Sequence, residues 1–185
     1  MTTNYQNQDI ERLKQNILSD NNRIAQSAAE ELSQLGGDDI TCFLISLIEL
    51  DNSKIRDIAA VALSDIKDNR AVEPLLKAIF KKENHNYNGT LVYALESLDC
   101  SKNLKDIFRI LFYETFEAKI GAYSILTEQT FAFTENDLVE ISNMWTNCKL
   151  NPNICPGFDD EETKEMMQDG YERLIIHSRN KQPSS

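Results

Sequence analysis

Apolar residues recur along this chain at helical spacing, in short blocks separated by polar turns. The clearest blocks lie between Lys54 and Lys81. Ile55, Ile58, Ala59, Ala62, Leu63 and Ile66 mark one face of a first helix, and Val72, Leu75, Leu76, Ile79 and Phe80 one face of a second. The turn between them, Lys67 to Arg70, holds no apolar residue. A recurrence of three and four residues gathers apolar side chains into one stripe, and such a stripe must be covered by a neighbour.

The flanking sequence supplies those neighbours. Residues 1–7 read as a polar, frayed end, followed by a helix from Gln8 to Leu18 with Ile10, Leu13, Ile17 and Leu18 inward. A helix from Arg23 to Leu35 turns Ile24, Ala28, Leu32 and Leu35 inward and stops at Gly36-Gly37. Asp38 or Asp39 is placed to cap the next helix, which reaches Leu50 through Ile40, Phe43, Leu44, Leu47 and Ile48. A shift of 31 residues carries Ile24 onto Ile55, Ala28 onto Ala59, Leu32 onto Leu63, Leu44 onto Leu75 and Ile48 onto Ile79. A further shift of 32 carries Ile55 onto Tyr87, Leu63 onto Leu95, Leu75 onto Ile107 and Ile79 onto Leu111. Another 31 carries Leu95 onto Leu126; a three-residue insertion near Phe131-Ala132-Phe133 then aligns Ile107 with Ile141 and Leu111 with Trp145.

Helix pairs recurring at this period predict an all-α fold, an α-α superhelix in a single domain of residues 1–185. The pairs fall near 22–50, 53–82, 85–114 and 116–148. A loop over 146–157, rich in Asn and Pro, leads to a C-terminal capping helix at 159–177 with Met166, Met167, Leu174 and Ile175 inward, and then a polar tail over 178–185.

The type of repeat follows from the central unit. Arg56, Ala59, Ala60, Ala62, Leu63, Ile66, Asp68, Arg70, Ala71, Val72, Pro74, Leu75 and Leu76 resemble the HEAT-like repeat of phycobilisome lyases, with Asn69 where that pattern often has Pro. The likeness is closest over 54–80 and fades through 22–48 and 84–148. It implies a fold and leaves the activity open.

Composition narrows the function. A net charge of −11 argues against a surface that attracts nucleic acid or anionic membrane as a whole. There is no apolar run of membrane-spanning length, and the start has no basic-then-apolar leader. Cys42, Cys100, Cys148 and Cys155 form no framework, which points to a reducing, cytoplasmic setting. Cys42 and Cys100 read as small semi-buried residues, and Cys148 and Cys155 as loop thiols that an oxidising compartment could join. His85, in a loop, reads as exposed, and His177 as the end of the last helix; neither has ligand neighbours, so no metal or cofactor is expected. Adjacent carboxylates such as Glu30-Glu31 point apart on a helix and form no acid–base pair. Phe131 and Phe133 read as core.

Charge is unevenly spread. Residues 70–109 sum to +2, so the rest sums to −13. On the second helix of each pair, the positions that avoid the core are Asp39, Cys42, Ser46 and Leu50; then Arg70, Glu73, Lys77 and Lys81; then Lys102, Lys105, Arg109 and Tyr113; then Asn136, Val139, Asn143 and Asn147. These predict an inner face with a basic centre and an acidic exterior that includes Asp159, Asp160, Glu161 and Glu162. We expect a non-enzymatic module that binds a protein partner through Arg70, Glu73, Lys77, Lys102, Lys105, Arg109, Tyr113 or that acidic quartet. The most concrete version is an immunity protein or inhibitor that neutralises a toxin. The alternatives are an accessory subunit like the bilin-lyase HEAT proteins, which the resemblance suggests, and a HEAT-like nucleic-acid binder.

Overall fold

A computed structural model of the chain describes residues 2–181, with side chains from 8 to 179. Ten α-helices and three short 3-10 turns make up the described residues, with no strand among them. The helices are α1 (Thr2–Asn16), α2 (Asn22–Leu35), α3 (Asp38–Ile48), α4 (Ser53–Ile66), α5 (Val72–Ile79), α6 (Gly89–Glu96), α7 (Leu104–Tyr113), α8 (Phe116–Glu128), α9 (Glu135–Leu150) and α10 (Glu161–Lys181). The all-α class expected from the periodicity is therefore the class observed, although the close contacts between consecutive helices run between α1 and α2, α3 and α4, α5 and α6, and α7 and α8. The chain divides into two compact units, Met1–Asp99 and Cys100–Ser185, with the boundary between the two helices of the third expected pair.

In the first unit α2, α4 and α6 lie side by side, α1 packs on α2, α3 on α4 and α5, and α5 on α6. Small residues allow the close approach: Ala25, Ala28, Ala29, Ala59, Ala60 and Ala62 are all buried, around Leu32, Leu63 and Leu75, which are fully enclosed. In the second unit α7 packs on α8 and α9, and α8 on α10. Its core is aromatic, with Phe112 stacked on Trp145 at 5.6 Å between ring centres and Trp145 against Tyr171 at 5.8 Å. Gly170 brings α10 in close, since a Cβ there would lie 2.9 Å from Leu111 Cδ2.

Helix ends are closed by side chains, because terminal N–H and C=O groups lack intrahelical partners. At the end of α5, Asn84 Nδ2 donates to the Ala78 carbonyl at 2.8 Å, and Asn88 Nδ2 to that of Ile79 at 3.5 Å. At the end of α7, Lys119 Nζ donates to the Leu111 and Phe112 carbonyls, each at 2.8 Å. At the start of α9, Thr134 and Asp137 form a reciprocal capping box. Thr134→Ala is expected to cost about 1 kcal/mol of unfolding free energy, measured by urea titration.

Several placements differ from the sequence reading. Helix α1 begins at Thr2, so residues 2–7 are helical and not frayed, and it ends at Asn16, leaving Leu18 exposed. Ile24 and Leu35 are about half exposed, because α2 turns its alanine face toward α4. Tyr87 is 67% exposed: α6 starts only at Gly89, so the position matched to Ile55 falls in the connection before the helix. Asp38 and Asp39 sit in the first turn of α3 behind Gly37 and do not cap it by a side-chain hydrogen bond. Cys42 is exposed, whereas Cys148 lies in α9 and is buried with Cys155. His177 is one turn inside α10, which continues through 178–181; residues 182–185 of the expected tail lie outside the described residues. Phe131 is buried, as expected, and Phe133 meets the His177 ring edge-on at 5.9 Å.

Candidate functional site

Most of the positions expected to avoid the core on the second helices do so, while Lys81, Lys105 and Tyr113 are part-buried. In the first unit Arg70, Glu73 and Lys77 are exposed, beside Asp39, Cys42, Ser46 and Leu50 of the preceding pair. Their charges are matched across the pair boundary. Arg70 Nη2 lies 2.8 Å from Asp38 Oδ1, and the same guanidinium binds Asp68; Lys77 Nζ lies 3.0 Å from Glu49 Oε1. Lys81 Nζ donates to the Glu49 carbonyl at 3.2 Å. The hydrogen bond from Lys77 holds the Glu49 carboxyl below its ordinary range, and Arg70 does the same for Asp68. The basic strip expected here is thus answered by acids from the neighbouring pair.

In the second unit Lys102 and Arg109 are exposed, and Lys105 Nζ lies 3.0 Å from Glu140 Oε2 of α9. Tyr113 is half-buried and donates to the Met144 carbonyl at 3.4 Å. Burial above all pushes its hydroxyl pKa up to about 12. It faces a buried cluster that sequence reasoning missed. Lys119 is 1% exposed, and Cys155 Sγ shares the Phe112 carbonyl with it, at 2.8 Å. Burial lowers the Lys119 pKa to about 8. Cys148 and Cys155 are hydrogen-bonded to each other, which raises the Cys155 thiol, with burial adding to the effect. These groups close the end of α7.

The acidic quartet has mixed duties. Asp160 accepts from the Thr163 backbone N–H at 2.8 Å and from its hydroxyl at 2.7 Å, capping α10. Glu161 lies 3.7 Å from Lys164, while Asp159 and Glu162 are exposed. No trio of His, Cys, Asp or Glu among the described residues is arranged to hold a metal ion. No helix among them is long and apolar enough to cross a membrane.

Two concavities stand out. In the second unit a cleft of about 560 Å³ is lined by Leu104, Phe108, Phe131 and Leu174, with Arg173 and His177 at its edge. Arg173 is committed to Asp169, which also accepts from Tyr123. In the first unit a groove of about 410 Å³ runs between α2 and α4 toward the start of α6. Its floor is Ala29, Ile58, Val61 and Ala62; its rim is Gln26, Glu30, Asp57, Asp65 and Thr90, with no Lys or Arg among the lining residues. The trough exists because alanines stand where larger side chains would fill the space between the helices. Sequence reasoning missed it because the spacing of a stripe does not report a gap between two packed helices.

An all-helical fold that recurs at a repeat period defines the class: a helical repeat scaffold for protein interaction. Residues 10–119 match the family model for HEAT repeats, and the chain belongs to that family. No curated protein matches it.

Proposed function

We propose that this HEAT-repeat chain is a non-enzymatic module that captures a basic protein, most concretely an inhibitor that binds and neutralises a cationic toxin. The observation that carries this reading is the charge balance. The chain has a net charge of −11, and Arg70, Lys77 and Lys105 on the second helices are each held in ion pairs with acids of a neighbouring pair. Those three cations are neutralised locally, and the surplus of carboxylates over the whole chain sets the sign of the surface. A surface of one sign speeds encounter with a partner of the other and suppresses partners of its own.

Association with the product of a gene adjacent to its own tests the reading. A purified basic toxin from that locus is expected to form a stoichiometric complex with the chain and lose its activity. Association should slow steeply with added salt, because screening weakens long-range attraction. A neighbouring product that is acidic, or that keeps full activity in the presence of excess chain, overturns it.

A further inference from the structure

We infer that the groove between α2 and α4 is a docking site for a basic amphipathic helix of the partner, an assignment that rests on the binding reading above and gives it an address. The groove presents an apolar floor edged by carboxylates. Val61 is 42% exposed on that floor, although α4 packs on three other helices, α2, α3 and α6. Asp57, Val61 and Asp65 follow one another at four-residue spacing, so along α4 the two carboxylates flank the valine, one turn to each side. Glu30 faces them from α2.

Two of these acids are not engaged within the chain, and the third only in part. Glu30 and Asp65 make no side-chain hydrogen bond or ion pair among the described residues. Asp57 turns its buried Oδ1 toward Arg56 Nε, at 3.8 Å and without a hydrogen bond, while the side chain as a whole stays 35% exposed. Burial raises the Asp57 carboxyl above its ordinary range, a penalty that a docked cation would offset. This contrasts with the second helices, where acids and bases of adjacent pairs are already joined. Asp57 to Asp65 spans roughly 12 Å at the helical rise, the length of about two turns. An occupant helix with apolar residues at i, i+3, i+4 and i+7 would lay them on Ala29, Ile58, Val61 and Ala62, and its flanking lysines or arginines would reach the three carboxylates. An acidic or purely apolar helix would leave the rim unpaired. An enclosed small ligand does not fit a trough that is open along its length.

The test uses the full chain and a fluorescein-labelled synthetic peptide of about 16 residues, Leu at the four anchor positions and Lys elsewhere. Anisotropy titration is expected to show saturable one-to-one binding that weakens with salt. A scrambled peptide of the same composition, and one with Glu for Lys, should bind at least about tenfold more weakly. The triple variant E30Q/D57N/D65N, and separately V61S, should each weaken the Leu/Lys peptide by about tenfold or more while circular dichroism stays unchanged. Equal binding of the scrambled peptide, or unchanged affinity in both variants, overturns the assignment. So does a chain that self-associates through this face, seen as a dimer by sedimentation that V61S converts to monomer. A basic toxin captured with full affinity by the triple variant would overturn the groove and leave the binding reading standing. Peptide binding that meets every criterion in a chain that no basic protein engages would uphold the groove and refute that reading.

Discussion

Arg56→Ala is expected to destabilise the protein by about 4 kcal/mol, among the largest effects of any single truncation, because it removes a buried charge from a network it holds together. Arg56 is 2% exposed. Its Nη1 donates to Asn84 Oδ1 at 2.6 Å, and Nη2 reaches the Tyr87 carbonyl at 3.4 Å. Asn84 in turn donates to the Ala78 carbonyl at the end of α5. One guanidinium on α4 therefore fixes the connection that closes α5 and leads into α6. Alanine would leave a cavity, an acceptor on Asn84 with no donor, and Asp57 without the cation beside it. Arg56→Met separates the contributions: it restores much of the volume but no donor, so about half of the loss should persist in urea unfolding. An alanine variant within about 1 kcal/mol of wild type in urea unfolding would show that the network is dispensable.

Lys119→Met is expected to be destabilising by an amount that grows with pH. Near neutrality the loss should be about 2 kcal/mol, since the Leu111 and Phe112 carbonyls lose their buried donor while the cost of keeping a charge in the core is relieved. The pH dependence follows from the lowered Lys119 pKa, about 8 in the folded chain against an ordinary 10.5. Below pH 8 both folded and unfolded chains carry the proton, and the desolvation cost weighs fully on the folded state. Between 8 and 10.5 the unfolded chain binds more protons than the folded one, so wild-type stability rises with pH. The variant has no such group. The difference between them should widen by up to about 1.4 kcal/mol per pH unit across that window. Tyr113, raised to about 12, acts in the opposite sense above pH 10, but it is present in both proteins and cancels in the difference. A difference that stays flat from pH 7 to 10 would mean that Lys119 titrates at its ordinary value.

The helices were legible because an apolar stripe is local information. The spacing of Ile55, Ala59, Leu63 and Ile66 is enough to place α4, and a shift of 31 residues finds α2 with its Ala28 and Leu32. What the stripe cannot report is how its edges are disposed once helices pack. Ile24 and Leu35 have the right spacing and yet face out, since alanines alone let α2 and α4 come close. The exposed side of the second helices was legible for the same periodic reason. Its electrostatics were not, because Lys77 meets Glu49 and Lys105 meets Glu140 across helix pairs, in a register that only packing fixes. Lys119 offered a faint signal: it stands between Ala118 and Ile120, in a helix whose buried face includes Ala118 and Ala122. A charge there asks for a partner, but nothing nearby in sequence names carbonyls seven and eight residues back.

The way the ends of α5 and α7 are sealed bears on how far this chain can be taken apart. In each case the plug comes from residues that follow: Asn84 and Asn88 for α5, Lys119 and Cys155 for α7. A repeat array is often treated as interchangeable blocks, with cuts placed at the turn after each second helix. Cutting after Glu114 would instead strip the donors from the Leu111 and Phe112 carbonyls, so α5 and α7 are each finished only by residues that come next. Shortened or shuffled versions should therefore carry the connection, and the first turns beyond it, along with every pair.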